Sequence, residues 1–213
     1  SEMKVVIKQY APMAAGAFLM SSTILVDQSM AASLDSGSVA VFNFANKVVA
    51  LFFVVGSMAL GTALLPYFSQ MIANRDWKGT RHTFKTYSLL IVFVSVPLTV
   101  FLYLYSNTIV GLLFQRGEFS ASDTEQVGGA LSLYVLQIPF YVLGILIVRL
   151  MSSLKNNKIL MCSAAISLPL NILLNYLFMK PMGVSGIALS TSLVYVFSFI
   201  FLWSNLNRSI AKL

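Results

Sequence analysis

Long apolar stretches that are almost free of charge constrain this sequence more than any other feature. Six of them, each about 20 residues or more, cover residues 10–32, 39–68, 86–114, 127–153, 159–179 and 185–206. As a helix, each is long enough to cross the roughly 30 Å hydrocarbon core of a bilayer. Strands are excluded, because the alternation of a membrane barrel is missing and an open sheet edge cannot lie in lipid. The sequence therefore predicts an all-α, polytopic transmembrane bundle of six helices that forms one unit over residues 1–213.

The composition supports the same class of protein. Only 10% of the 213 residues are charged and 58% are hydrophobic, whereas about 25% of the residues of soluble domains are charged. These charges are too few to cover a soluble globule, which argues against a cytosolic enzyme and a disordered chain. The chain begins at Ser1 without an initiator methionine, so we expect a fragment or a processed chain.

The basic residues predict the orientation of the bundle. With the N-terminus in the cytoplasm, ten of them fall in cytoplasmic segments: Lys4, Lys8, Arg75, Lys78, Arg81, Lys85, Lys155, Lys158, Arg208 and Lys212. The opposite side has only Arg116 and Lys180. Because positive charges collect in cytoplasmic loops, both termini are expected in the cytoplasm.

Three charged residues lie inside the predicted spans, where a buried charge costs about 2.5–3.5 kcal/mol on insertion scales. Asp27 is either hydrated near the outer end of its span or part of a cation or proton site. Lys47 either extends its amine to the outer surface or lies in a cavity that receives an anionic substrate. Arg149 is close enough to the cytoplasmic end of its span for its side chain to reach the surface there.

Neutral polar residues in the last two spans add further oxygen atoms. Asn171 and Asn175 are four residues apart and share one helical face, and Thr191 follows in the sixth span. Such residues commonly hydrogen-bond membrane helices to one another. If the helices meet, Asp27 and these side chains would also supply one carboxylate and several neutral oxygens, which is the chemistry of a hard-cation site.

Signatures of covalent chemistry are missing from the sequence. It has no Walker A motif, no HExxH and no cysteine cluster, and its single histidine, His82, lies in a basic loop. We therefore expect no enzyme and no catalytic residues. Energy for transport would come from an ion gradient or from the membrane potential.

Several motifs resemble those of one family. The segment Phe114–Thr124, FQRGEFSASDT, resembles the FQRG-x-F loop of the MurJ (MviN) lipid II flippases. The segment Leu60–Pro66, LGTALLP, resembles their LGTxLLP segment, and Gly37–Lys47 resembles their GSV…YADR segment. The segment from Asn171 to Thr191 resembles their late helix pair. Together these resemblances extend over nearly the whole chain.

The resemblance implies the fold of the multidrug/oligosaccharidyl-lipid/polysaccharide exporters, in which two six-helix lobes surround a central cavity. This chain would be the C-terminal lobe, and it would need the N-terminal lobe or a second copy to cover its cavity face. The implied function is alternating-access transport of a lipid-linked cell-wall precursor, an undecaprenyl-pyrophosphate glycan such as lipid II, across the bacterial cytoplasmic membrane. Its partners would be this lipid-linked oligosaccharide and membrane lipids, without nucleic acid.

The resemblance also implies two sites. Lys47 occupies the position of a cavity arginine and is expected to bind the substrate's pyrophosphate, while Asn46 and Ala50 stand where the family often has acidic residues. A sodium site is expected among helices seven, eleven and twelve of the full protein. Its ligands would be Asp27, Asn171, Asn175, Thr191 and the main-chain carbonyl of Ile187. No cofactor other than this Na⁺ is expected.

The sequence departs from the family after Arg149, where the segment Met151–Lys158 lacks the usual FYAxxDTxTP form. This departure leaves another lipid-linked polysaccharide as an alternative substrate. A second alternative is a cation-coupled drug exporter of the same superfamily, which the FQRG loop disfavours. A third is a non-transporting membrane scaffold, in which Asp27 and Lys47 would be freely replaceable.

Overall fold

Helices make up the whole described part of the chain apart from short connections. The computed structural model describes residues 2–210, with side chains described over 14–208 except at positions 17, 20, 59 and 61–63. Eight α-helices occur in this part, and no strand does: α1 Glu2–Ala32, α2 Ser38–Ala73, α3 Trp77–Leu104, α4 Ser106–Phe114, α5 Ala121–Tyr134, α6 Ile138–Ser153, α7 Asn157–Met182 and α8 Val184–Ile210. A 3₁₀ turn, Val135–Gln137, joins α5 to α6. The all-α prediction is confirmed.

The outer surface of the bundle is apolar. Phe93 and Leu112 are 80% and 79% exposed, an arrangement that is unfavourable in water and favourable against lipid tails. Within the described residues, five helical segments are long and apolar enough to cross a membrane: Ser38–Met58, Trp77–Leu104, Ala121–Ser153, Asn157–Met182 and Val184–Arg208. The chain is therefore a multi-pass membrane bundle.

The first predicted span, 10–32, falls within α1. Side chains 10–13, 17 and 20 of this span lie outside the described residues. The same holds for Lys4, Lys8 and Lys212, which contribute to the predicted charge asymmetry.

Two predicted spans differ from the helices in their boundaries. The third, 86–114, corresponds to two helices, because α3 ends at Leu104 and α4 begins at Ser106. Helix α3 starts early, at Trp77, where the Asp76 side chain accepts a hydrogen bond of 2.9 Å from a backbone N–H of the first turn. Such a cap stabilises polar first turns, which an apolar pattern does not reveal.

The fourth predicted span, 127–153, also begins earlier in the structure. Helix α5 starts at Ala121, because the side chains of Ser120 and Asp123 form a reciprocal capping box. The span then continues through the 3₁₀ turn into α6. A polar N-terminus, SASDTEQ, therefore belongs to the same helical segment as the apolar stretch.

Helix packing places α7 between α1 and α8. Helix α1 packs along α7, α7 packs along α8, and α8 also contacts α5 and α6, which pack against α2. One apolar core cluster contains Phe42 and Leu131, and a second contains Phe68, Leu146 and Leu206. Together they draw mainly on α2, α5 and α6, with members from α3 and α8. The interface of α1, α7 and α8 is instead rich in polar side chains.

Candidate functional site

The carboxylate of Asp27 is the centre of a polar cluster formed by three helices. Asp27 lies on α1, Asn171 and Asn175 lie on α7, and Thr191 lies on α8. The exposed fraction is 1% for Asp27 and 0% for both asparagines. The structure thus brings together the four side chains that were singled out in the sequence, although 164 positions separate Asp27 from Thr191.

Three side chains donate hydrogen bonds to this carboxylate. Asn175 Nδ2 lies 2.7 Å and Asn171 Nδ2 lies 3.1 Å from Asp27 Oδ1, and Thr191 Oγ1 lies 2.9 Å from Oδ2. The Thr191 hydroxyl is also 3.0 Å from the carbonyl oxygen of Ile187. It has one proton and can donate to one of these acceptors at a time. All three donors are neutral, so the negative charge is hydrogen-bonded but not balanced.

The cluster contains oxygen atoms of the types that bind hard monovalent cations, although the amide nitrogens of both asparagines face the carboxylate. Asp27 supplies a carboxylate, Thr191 a hydroxyl, Ile187 a carbonyl and the asparagines two amide oxygens, which are the donor types that hard cations bind. The Oδ1 atom of Asn175 is buried and has no hydrogen-bond partner among the described residues, and an unsatisfied buried acceptor is costly. In the described part of the chain, no group of three or more acidic, histidine or cysteine side chains is placed to hold a metal ion. A single negative charge suits a monovalent ion better than a divalent one.

Lys47 is exposed on α2. Its Nζ lies 5.0 Å from the centre of the Phe44 ring, within the range of a cation–π interaction. The Phe44 ring in turn meets the rings of Phe114 and Phe119 edge-on, with centroid distances of 4.9 and 5.2 Å. Two sequence motifs, FANK at 44–47 and FQRGEF at 114–119, are therefore in contact. Because the two motifs are far apart along the chain, the sequence does not show that they are in contact.

Arg149, the third charged residue of the predicted spans, is half-buried on α6. Its Nε is buried and has no hydrogen-bond partner among the residues that the structure describes. The hydroxyl of Ser153 donates to the carbonyl oxygen of Arg149 at 3.0 Å and lies 3.2 Å from the hydroxyl of Ser69 on α2. Arg149 is thus one turn from a polar contact between α2 and α6.

Two polar contacts near the Asp27 cluster were not predicted. Gln28 Nε2 donates to Asn43 Oδ1 on α2 at 3.1 Å, so neighbouring residues of α1 bind different helices. On α7, Ser167 lies one turn before Asn171, and its hydroxyl is 2.7 Å from that of Ser198 on α8. The spacing of four residues from Ser167 to Asn171 places both on one face of α7, and this spacing could have predicted that Ser167 also faces α8.

A family model described as "Lipid II flippase MurJ" matches residues 1–213. The chain belongs to the MurJ family. The "Probable lipid II flippase MurJ" of Helicobacter pylori strain J99 is 30% identical over 200 residues, which cover 93% of this chain and 43% of the relative. The protein of the same name from Bdellovibrio bacteriovorus is 29% identical over 190 residues, which cover 89% of this chain and 36% of the relative.

Solved structures show the same fold. A structure titled "Lipid II flippase MurJ, inward closed conformation" matches with a TM-score of 0.81 and 22% identity over 96% of this chain and 43% of that one. An outward-facing multidrug resistance MATE family transporter matches with a TM-score of 0.80 and 18% identity over 93% of this chain and 44% of that one. The family inferred from the motifs is confirmed. The chain spans about two fifths of the MurJ relatives, in agreement with one lobe of a two-lobed protein.

Proposed function

We propose that this chain is the C-terminal lobe of a flippase that moves lipid II, or a similar undecaprenyl-pyrophosphate glycan, across the bacterial cytoplasmic membrane by alternating access. The match of residues 1–213 to the MurJ family model carries this proposal. Flipping a lipid breaks no covalent bond, so the tasks of the lobe are to bind the head group and to change conformation. The excess of basic residues on one side favours an orientation with both termini in the cytoplasm.

Lys47 is the proposed contact to the pyrophosphate. Its ammonium group is exposed on α2, where the N-terminal lobe or a second copy would face it. An ammonium offers three donors to phosphate oxygens as a compact point charge. The neighbouring positions of the same helix, Asn46 and Ala50, carry no negative charge, which favours an anionic ligand.

The Asp27 cluster is the proposed site for Na⁺. When bound, the ion would supply the positive charge that the neutral hydrogen-bond donors do not. Because the ligands come from α1, α7 and α8, occupancy would stabilise the conformation in which these helices are packed together. An ion biases a transporter only if it binds one conformation more tightly than the other, which a cluster shared by three helices would do if the other conformation separates them.

Sodium-dependent thermal stability tests the ion site. We expect Na⁺, but not K⁺ or choline at the same ionic strength, to stabilise the purified protein, by about 2.7 kcal/mol at 100 times the dissociation constant. Asp27→Asn should abolish this effect, whereas Asp35→Asn, which changes an exposed acid in the α1–α2 connection, should keep it. Equal stabilisation by the three salts would refute the sodium site, and it would have no bearing on the proposed lipid substrate.

Complementation tests the substrate and Lys47. In cells depleted of their own lipid II flippase, we expect growth to be restored by the full protein that contains the wild-type lobe or Lys47→Arg, but not by the same protein with Lys47→Ala. The matched control is Lys180→Ala, since Lys180 is also exposed and contacts an aromatic ring, that of Tyr176. Full growth with Lys47→Ala would refute the proposed role of Lys47 in binding the pyrophosphate.

A cation-coupled drug exporter is the second candidate, favoured by the fold shared with a MATE family transporter. An exposed lysine on the cavity face would repel cationic drugs, which argues for the anionic lipid. The drug exporter predicts drug resistance without complementation of the lipid II flippase. A non-transporting scaffold predicts that Asp27 and Lys47 can both be replaced without effect.

A further inference from the structure

Four polar residues follow one another along one face of α7 at intervals of four: Ser163, Ser167, Asn171 and Asn175. All four are buried, with exposed fractions of 5%, 3%, 0% and 0%. At 1.5 Å per residue, this row is about 18 Å long, which is more than half of a hydrocarbon core of roughly 30 Å. It therefore reaches from the Asp27 cluster deep into the half of the bundle that contains the N-terminus of α7.

The facing helices add polar groups to the same row. A cavity of about 20 Å³ lies between α1, α7 and α8, lined among others by Thr23, Ser167, Asn171, Thr191, Tyr195 and Ser198. One water molecule needs roughly 10–15 Å³ and two or more polar partners, and this cavity offers both. We call the row on α7, together with these cavity-lining side chains and Asp27, the polar seam.

The polar seam is continuous with the Asp27 cluster. Asn171 and Thr191 line the cavity and also donate to the Asp27 carboxylate. At the other end of the cluster, the Oδ1 atom of Asn175 is buried without a hydrogen-bond partner among the described residues. One unsatisfied acceptor, a carboxylate and a water-sized cavity thus occur in the same helix interface.

Helices α1 and α7 approach each other closely beyond Ser163. Gly16 of α1 is buried, and a Cβ atom built on it would lie 3.6 Å from Cα of Met161 on α7, which is ordinary van der Waals contact. Neither Gly16 nor Met161 lines the cavity. Passage of an ion beyond Ser163 would therefore require α1 to move away from α7 near Gly16.

We propose that the polar seam is the hydrated path by which a small monovalent cation passes between the Asp27 cluster and the cytoplasmic side. Hydroxyl and amide oxygens recur every four residues, about 6 Å apart along α7. Together with a water molecule of the size that fits the cavity, they would replace the hydration shell of the ion step by step. The proposal deepens the proposed sodium site and rests on it for the identity of the ion. Helix-to-helix hydrogen bonding alone would explain the contact of Ser167 with Ser198, but not the water-sized cavity beside it.

Reactivity of cysteines with Ag⁺ tests the path. Ag⁺ is a monovalent cation close to Na⁺ in size, and it binds thiolates. Cysteine is introduced at Ser167, or at its neighbour Ile166, which is 42% exposed on the apolar surface of the bundle. Both variants carry Cys162→Ala, since Cys162 is exposed. The readout is the loss of maleimide labelling, measured after denaturation of Ag⁺-treated inside-out vesicles.

We expect Ser167→Cys to react at least about tenfold faster than Ile166→Cys, because a thiol in hydrocarbon forms almost no thiolate. Ser163→Cys should react like Ser167→Cys, and it serves as the second variant if the first does not fold. Na⁺ should slow the reaction of Ag⁺ with Ser167→Cys and with Ser163→Cys, and the additional substitution Asp27→Asn should remove this protection. Reaction of Ser167→Cys and Ser163→Cys no faster than that of Ile166→Cys would show a dry interface and overturn the proposal. Fast reaction without protection by Na⁺ would support the hydrated seam and refute the sodium site.

Discussion

Replacing Thr191 with valine isolates the hydrogen bond that links α8 to the carboxylate of α1. Valine keeps the shape of threonine and removes the donor that lies 2.9 Å from Asp27 Oδ2. A hydrogen bond to a charged group contributes about 1.5–3 kcal/mol, so we expect the free energy of unfolding to fall by about that amount. At 2–4 °C per kcal/mol for domains of this length, the midpoint of thermal unfolding would fall by roughly 3–12 °C.

Ser190→Ala is the matched control, because Ser190 is buried on the same helix and its hydroxyl donates to the carbonyl oxygen of Gly186 at 2.8 Å. This neutral bond within one helix contributes about 0.5–1.5 kcal/mol. Thermal unfolding in detergent with choline chloride, without Na⁺, measures both variants. A decrease for Thr191→Val no larger than for the control would show that the hydroxyl donates to Ile187 and not to Asp27. In Na⁺ the difference between the two variants should widen, since Thr191 is a proposed ligand.

Two further predictions concern packing and charge. Asn175→Asp places a second carboxyl group where an amide now donates to Asp27 at 2.7 Å, and two carboxyls this close cannot both ionise; in choline we expect a loss of about 1–3 kcal/mol, partly restored by Na⁺, and equal loss in both salts would contradict this. Gly186→Ala puts a Cβ against the backbone carbonyl of Phe178, so thermal unfolding should show a loss of about 1–3 kcal/mol. Gly144→Ala, with nothing within 4 Å of the added Cβ, should instead gain about 0.5–1 kcal/mol in the same assay, and similar values for the two glycines would refute the close approach.

The sequence predicts a helix boundary well where the apolar stretch and the helix end at the same residue. It predicts the boundary less well where an interaction other than hydropathy, such as a helix cap, sets it. The break at Tyr105 lies in a run, LYLYSNTIV, that contains neither glycine nor proline, and its only signal is the short polar cluster Ser106–Thr108, which the apolar pattern on both sides outweighs. The early starts of α3 and α5 depend on caps formed by Asp76 and Ser120. Such caps are local hydrogen bonds, which hydropathy does not measure.

The candidate site was partly visible in the sequence. The spacing of Asn171 and Asn175 predicts that they share a helical face. The position of Asp27 against that face depends on the packing of α1 along α7. Only the family resemblance predicts this packing. Ser163 and Ser167 continue the same spacing and were overlooked, because serine in a membrane helix ordinarily hydrogen-bonds its own backbone. The contact of Phe44 with Phe114 joins segments 70 positions apart, which no local pattern encodes.

The neighbouring contacts of Asp27 and Gln28 restrict how α1 can move. Successive residues of an α-helix point about 100° apart, so Asp27 holds α1 to α7 and α8 while Gln28 holds it to Asn43 on α2. Axial rotation of α1 in either direction would break hydrogen bonds on both sides at once. Residues 27–28 therefore fix the rotation of α1 about its own axis relative to α2, α7 and α8.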